Sequence, residues 1–280
     1  MKTIGFIDYY ISEWHANNYP EWIKQENEKL GEDFVVKYAW AEMDKSPLDG
    51  VTTAEWCKKF GVEMCDTIDE LCGKADYILV LAPSDPDKHL SYAKEVFKYK
   101  KNTYIDKTFA PDYATAKEIF DIAEKYGTKF FSSSALRYSD ELDILPETVN
   151  VVTHGGGSNL DEYIIHQVEM VIKKFKTDAV KVKVERQGNQ FICRILFDGE
   201  KTATMIFAPG IGFSMYAEDK NGDTYSKNMA SPYFNNLIAD ILRFYKTSEV
   251  SFDTLETLKV IKLREAIIKA KSTLGEWINV

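Results

Sequence analysis

Residues 75–110 read ADYILVLAPSDPDKHLSYAKEVFKYKKNTYIDKTFA. Tyr77–Ala82 is apolar at every position, without the polar–apolar alternation of a strand that has one face in water. Such a run is what a parallel sheet covered on both faces requires. His89–Tyr99 reads as a helix and Asn102–Ile105 as the next strand. Strand, helix and strand in that order make a βαβ unit, and such units build a doubly wound parallel sheet.

The same alternation runs outward in both directions. Upstream, Ile4–Ile7 is a short buried strand and residues 13–30 a helix anchored by Trp14, Trp22, Ile23 and Leu30. Phe34–Ala41 is a strand, Thr53–Phe60 a helix stopped by Gly61, and Thr67–Cys72 a helix whose cap is Thr67 with Glu70 three residues on. Downstream, Tyr113–Tyr126 reads as a helix and Lys129–Ser132 as a strand. The pattern changes near Glu141–Pro146. A helix at Asp161–Phe175 precedes alternating segments at Val180–Glu185, Phe191–Phe197, Thr202–Phe207 and Phe213–Ala217. Gly188-Asn189, Asp198-Gly199 and Asn221-Gly222 separate these segments or follow them, as hairpin turns do. The spacing predicts an α/β chain: a Rossmann-like domain over 1–138, then an α+β domain over 139–280 with an open, mostly antiparallel sheet. Helices at Tyr233–Lys246 and Thr254–Thr273 close the chain. The open face of the second sheet predicts a homo-oligomer.

Composition narrows the function classes. The net charge of −9 argues against a nucleic acid or an anionic membrane surface as partner. No apolar stretch approaches the roughly 18–20 residues of a membrane span, and the first apolar run is too brief for a signal peptide. Cys57, Cys65, Cys72 and Cys193 form no CxxC pair and have no histidine at zinc-ligand spacing. They read as reduced thiols of a cytoplasmic protein, and no metal site is expected.

Residues 75–138 resemble the Gfo/Idh/MocA oxidoreductases. Their pattern is a strand running into Pro, a His opening the next helix, and Glu-Lys-Pro after strand five; here Pro83, His89 and Asp106-Lys107-Thr108 hold those places. Residues 155–171, GGGSNLDEYIIHQVEMV, look like the family's substrate-domain helix, where an acid precedes a His by four residues, as Glu162 precedes His166. Tyr163, His166 and Glu169 are similar to the Tyr-x-x-His-x-x-Glu form of one branch, and SFDTLETLKVIKLREAIIKA (251–270) fits the C-terminal helices. The resemblance implies NAD or NADP as cofactor and a sugar, polyol or related small hydroxy or carbonyl compound as substrate, with the reaction at the junction of two domains. It makes Lys107, His166 and Glu162 the catalytic candidates. Hydride leaves a carbinol carbon only as its O–H proton is taken, so a His or Lys must reach that oxygen. Tyr163, Glu169 and Arg137, which follows Ser132–Ser134, are the substrate-contact candidates.

One stretch departs from the pattern. The three fingerprint glycines fall on Asp8, Tyr10 and Glu13, which put bulk and negative charge where backbone meets diphosphate. A bound dinucleotide would meet Asp8, Tyr9 and Ser12 at this turn, Glu42 (or Asp44) at the ribose, and Pro83 and Lys107 beyond. Two readings stay open: an NAD(P)-dependent oxidoreductase with an atypical turn, and a non-catalytic relative that binds another ligand or a partner. His15 and His89 read as structural, and Gly155–Gly157 as a flexible lead-in to the helix or a phosphate cradle.

Overall fold

The computed structural model describes residues 1–280, which form two compact units: 1–133 with 234–254, and 134–233 with 255–280. No helix is long and apolar enough to cross a membrane.

The first unit holds β1 (Lys2–Asp8), α1 (Trp14–Leu30), β2 (Phe34–Ala41), α2 (Thr53–Phe60), β3 (Glu63–Met64), α3 (Ile68–Lys74), β4 (Tyr77–Val80), α4 (His89–Val96), β5 (Thr103–Ile105), α5 (Tyr113–Tyr126) and β6 (Phe130–Phe131). The sheet is all parallel, in the order β3-β2-β1-β4-β5-β6. Ile4, Phe6, Ile7, Ile78, Leu79 and Val80 are buried, as a sheet covered on both faces demands. Gly5 is fixed by packing, because a Cβ there would meet Leu71 Cδ2 at 2.4 Å. The helix punctuation is legible residue by residue. Thr52 and Glu55 make a reciprocal capping box on α2, Thr67 and Asp112 cap α3 and α5, and Gly31, Gly61 and Gly127 end α1, α2 and α5 in the left-handed conformation.

The second unit holds α6 (Asp140–Ile144), β7 (Asn150–Gly155), α7 (Leu160–Phe175), β8 (Ala179–Gln187), β9 (Gln190–Phe197), β10 (Thr202–Phe207), β11 (Ser214–Glu218) and β12 (Thr224–Asn228). After α8 (Tyr233–Thr247), the chain adds α9 (Glu256–Ala270) and β13 (Trp277–Asn279). The sheet order is β12-β11-β7-β10-β9-β8-β13. Every pairing is antiparallel except β7 with β10, so the sheet is mixed. Strand β7 is absent from the sequence reading, yet it is central, with Val151 and Thr153 fully buried.

The contiguous division at 138/139 gives way in two places. Ser134–Tyr138 belongs to the second unit, and Phe234–Thr254 returns to the first. Tyr245 explains the return, since its hydroxyl donates to Ile78 O at 2.7 Å and its ring stacks on Tyr77 at 4.7 Å.

Candidate functional site

In the first unit, the turn from β1 into α1 is closed by its own side chains. Asp8 is 1% exposed, and its Oδ1 accepts from Tyr9 N (2.7 Å) and from Ala82 N (3.0 Å) beyond β4. Its Oδ2 is buried without a partner. Ser12 donates its hydroxyl to Asp49 at 2.8 Å, and its carbonyl accepts from Ser46 Oγ at 2.8 Å. Glu13 is the N-cap of α1. Its carboxylate accepts from the backbone N–H groups of His15 (2.8 Å) and Ala16, and lies 3.2 Å from His15 Nδ1. His15 Nδ1 is in turn 3.7 Å from Asp106 Oδ2.

Burial pushes the Asp8 carboxyl well above the usual carboxylate range, and the charge of Glu13 adds to it. A carboxyl raised by folding contributes stability that is present below its unfolded pKa, about 3.9. That contribution is lost as pH rises through the folded value. Asp8→Asn keeps the oxygen that accepts from Tyr9 and Ala82 and removes the acid. It is expected to stabilise the first unit at neutral pH by about 1–3 kcal/mol, with a gain over wild type that grows with pH. Urea midpoints across a pH series measure this, and a gain independent of pH would refute it.

The carboxyl ends of β4 and β5 hold the other candidates of this unit. Ala82 is buried in the left-handed region (φ 55), a strained placement for a residue with a Cβ. Lys107 is half-buried, with Nζ 3.3 Å from Pro83 O and its backbone N–H donated to Asp106 Oδ1 at 2.8 Å. Its bond to Thr108 is cis. Glu42 is bonded to Lys88 and accepts from Tyr92 OH at 2.8 Å. The Lys88 bond holds its carboxyl below the usual range. Lys88 lies over the Tyr9 ring at 4.5 Å. His89 is fully buried between Leu81 O (2.6 Å) and Phe109 O (3.0 Å), a structural role.

In the second unit, His166 lies on α7 with Nδ1 2.7 Å from Ser134 Oγ. The rings of Tyr163 (5.7 Å) and Phe213 (5.6 Å) flank it. Glu162 helps to close the first turn of α7, its backbone N–H donating to the Asn159 cap at 2.9 Å and its carboxylate accepting from Asn159 Nδ2 at 3.3 Å. The structure brings the candidates Glu169 and Arg137 together. Both are buried, and they bind each other: Arg137 Nε meets Glu169 at 2.8 Å and Nη1 meets Glu256 at 2.7 Å. Glu169 also accepts from Ser134 N at 3.1 Å. The guanidinium is thus held by two carboxylates in a buried ion triad.

The glycines before α7 are closely packed. A Cβ on Gly156 would lie 1.9 Å from Ala208 O, and Cβ atoms on Gly155 and Gly157 would strike the Phe213 and Tyr163 rings. The absence of a Cβ at these positions permits close packing. Just ahead of them, His154 lies 3.0 Å from Gly212 O and against Ser214, within the sheet. Sequence reasoning missed Ser134 and Glu256. The first stands in the run Ser132–Ser134, which carries no spacing signature, and the second is far along the chain from its partner.

A doubly wound sheet implies a dinucleotide with its diphosphate at the first helix N-terminus. The residues here do not fit that diphosphate, because the N–H groups of the first turn already hold Glu13 and no glycine opens the backbone.

The model of an oxidoreductase family with an NAD-binding Rossmann fold, Gfo/Idh/MocA, matches residues 46–134. The matched segment begins beyond β2, so the closed turn lies outside it. YhhX of Escherichia coli K12, an uncharacterized oxidoreductase, is 33% identical over 66 residues, 24% of this chain and 19% of that protein's length. A myo-inositol dehydrogenase of Corynebacterium glutamicum is 10% identical with a TM-score of 0.79, covering 100% of this chain and 99% of that one. GenD2 from gentamicin A biosynthesis, solved with NAD, is 11% identical with a TM-score of 0.80, covering 100% and 97%. At such identities the structural likeness is one of fold. Over residues 46–134 the chain is thus similar to the Gfo/Idh/MocA oxidoreductases, and its two-unit fold is one that these solved dehydrogenases share.

Proposed function

We propose that this chain is a cytoplasmic oxidoreductase of the NAD(P)-dependent class, acting on a hydroxyl or carbonyl of a sugar, polyol or related small compound. It would work as a homo-oligomer joined through the sheet of the second unit. The observation that carries the reading is the 2.7 Å contact between Ser134 Oγ and His166 Nδ1. Ser134 Oγ also accepts from Leu136 N at 3.3 Å, and in this reading its own O–H is taken as the donor to Nδ1. In that arrangement a neutral His166 would carry its proton on Nε2, where it could be donated to a substrate oxygen. Lys107 in the first unit is the other candidate, because an ammonium steadies negative charge that develops on an oxygen.

Two measurements test this. Nitrogen NMR of the His166 ring is expected to show an acceptor-type Nδ1 in wild type and a mixture of tautomers in Ser134→Ala. A wild-type ring protonated on Nδ1 at neutral pH would remove the argument. An assay of polyols and sugars with NAD or NADP, followed by NADH or NADPH absorbance, should find at least one substrate whose turnover falls in Ser134→Ala. A ligand- or partner-binding role is the second reading, favoured by the Glu13 cap. It predicts no turnover with any of them.

A further inference from the structure

Three polar groups of the β1–α1 turn are engaged within the turn's own surroundings. The Asp8 carboxyl is tied to the ends of β1 and β4, the Ser12 hydroxyl to Asp49, and the Glu13 carboxylate to the first turn of α1. Glu13 is the unusual member. Its backbone is extended (φ −135, ψ 174), as an N-cap's is, and Asn17 N donates to its carbonyl at 3.0 Å. Its side chain is 5% exposed and faces the His15 ring, so it is seated and not a surface carboxylate in passing contact. Ser, Thr, Asp and Asn are the usual caps because a short side chain reaches the N2 and N3 amides. Here a longer acid reaches the same amides and brings a full charge to the positive end of a seventeen-residue helix.

We infer that Glu13 is a built-in anion standing in the place of a dinucleotide's diphosphate, so that a nicotinamide dinucleotide binds this turn only by displacing it. The inference takes the identity of the incoming anion from the oxidoreductase reading and the obstacle from this turn alone. A diphosphate approaching with Glu13 in place meets a like charge at close range. It also finds the His15 and Ala16 amides already bonded. Both effects act on affinity and neither requires a change in the sheet.

The test is binding of NADH and of inorganic pyrophosphate to wild type, Glu13→Ser and Glu13→Gln, read by calorimetry and by the fluorescence of Trp14, the neighbouring residue, which is 50% exposed. Serine keeps a good cap without the charge, so the helix keeps its start. Glutamine removes the charge and still fills the amides. Glu13→Ser is expected to bind both probes more tightly than wild type by on the order of ten-fold or more, with Glu13→Gln gaining less. A gain for pyrophosphate alone would uphold the inference and sink the nicotinamide reading. No gain for either probe, in a variant with wild-type helix content, would overturn the inference. A wild-type affinity for NADH in the low micromolar range, unchanged in Glu13→Ser, would also overturn it and leave the nicotinamide reading standing.

Discussion

Arg137→Met is expected to destabilise the second unit by about 3–5 kcal/mol, the usual cost of removing one partner from a buried ion pair. The arginine side chain is 5% exposed and divides its fork between Glu169 and Glu256, themselves 3% and 7% exposed. Without it two carboxylates are left together in the dark, with only the Ser134 amide as a further donor to Glu169. Burial already lifts the Glu169 carboxyl above its ordinary range, and Arg137 opposes that lift. Removing the cation raises it further. A raised carboxyl contributes stability below its unfolded pKa and loses it as pH climbs through the folded value. The defect of Arg137→Met should therefore be smallest in acid and largest at neutral pH and above. Hydrogen exchange of the α7 amides, compared across pH, measures it. Replacing all three residues with Met, Gln and Gln should recover much of the loss, because no charge then remains to be compensated. Wild-type protection of α7 in the single variant at neutral pH would show that the triad is not what holds this region.

That triad also marks where reading the sequence stops. Tyr77–Ala82 announced a parallel sheet because an apolar run of that kind has few other homes. Gly188-Asn189 announced the β8–β9 hairpin because its φ of 61 asks for glycine. These are local statements, and local chemistry decides them. Strand β7 escaped because Asn150–Gly155 is six residues long and ends in glycines that read as a loop. Its strand character comes from the β10 and β11 neighbours it pairs with, which lie dozens of residues away. Arg137 and Glu256 are 119 residues apart, so nothing near either one foretells the pair. Glu13 was legible only as a missing glycine. That it fills the helix start could not be read, since glutamate is not among the residues that usually cap. Lys107 and His166 became candidates through the family resemblance, which an order of motifs along the chain can carry.

Lys107→Ala and His166→Ala are each expected to lower turnover by on the order of 10²–10⁴-fold with a substrate found in the polyol and sugar assay, the usual contribution of one acid–base group. The two losses differ in kind. In the proposed arrangement the Ser134 hydroxyl sets the His166 tautomer, so Ser134→Ala should produce a smaller loss of turnover than His166→Ala, with little change in KM. Lys107 has its backbone held by Asp106 and its ammonium 3.3 Å from the Pro83 carbonyl, so its position is set before a substrate arrives. Its removal should act on turnover more than on KM, if its charge matters chiefly for negative charge that develops during reaction. Both side chains are half-buried, and neither anchors a buried ion pair, so both variants should melt close to wild type. Steady-state kinetics beside thermal unfolding separates the outcomes. A variant that keeps both its turnover and its stability would remove that residue from the site. If both keep them, the proton chemistry of this protein lies elsewhere, and the buried group of Asp8, Glu13, His15 and Asp106 becomes the next place to look.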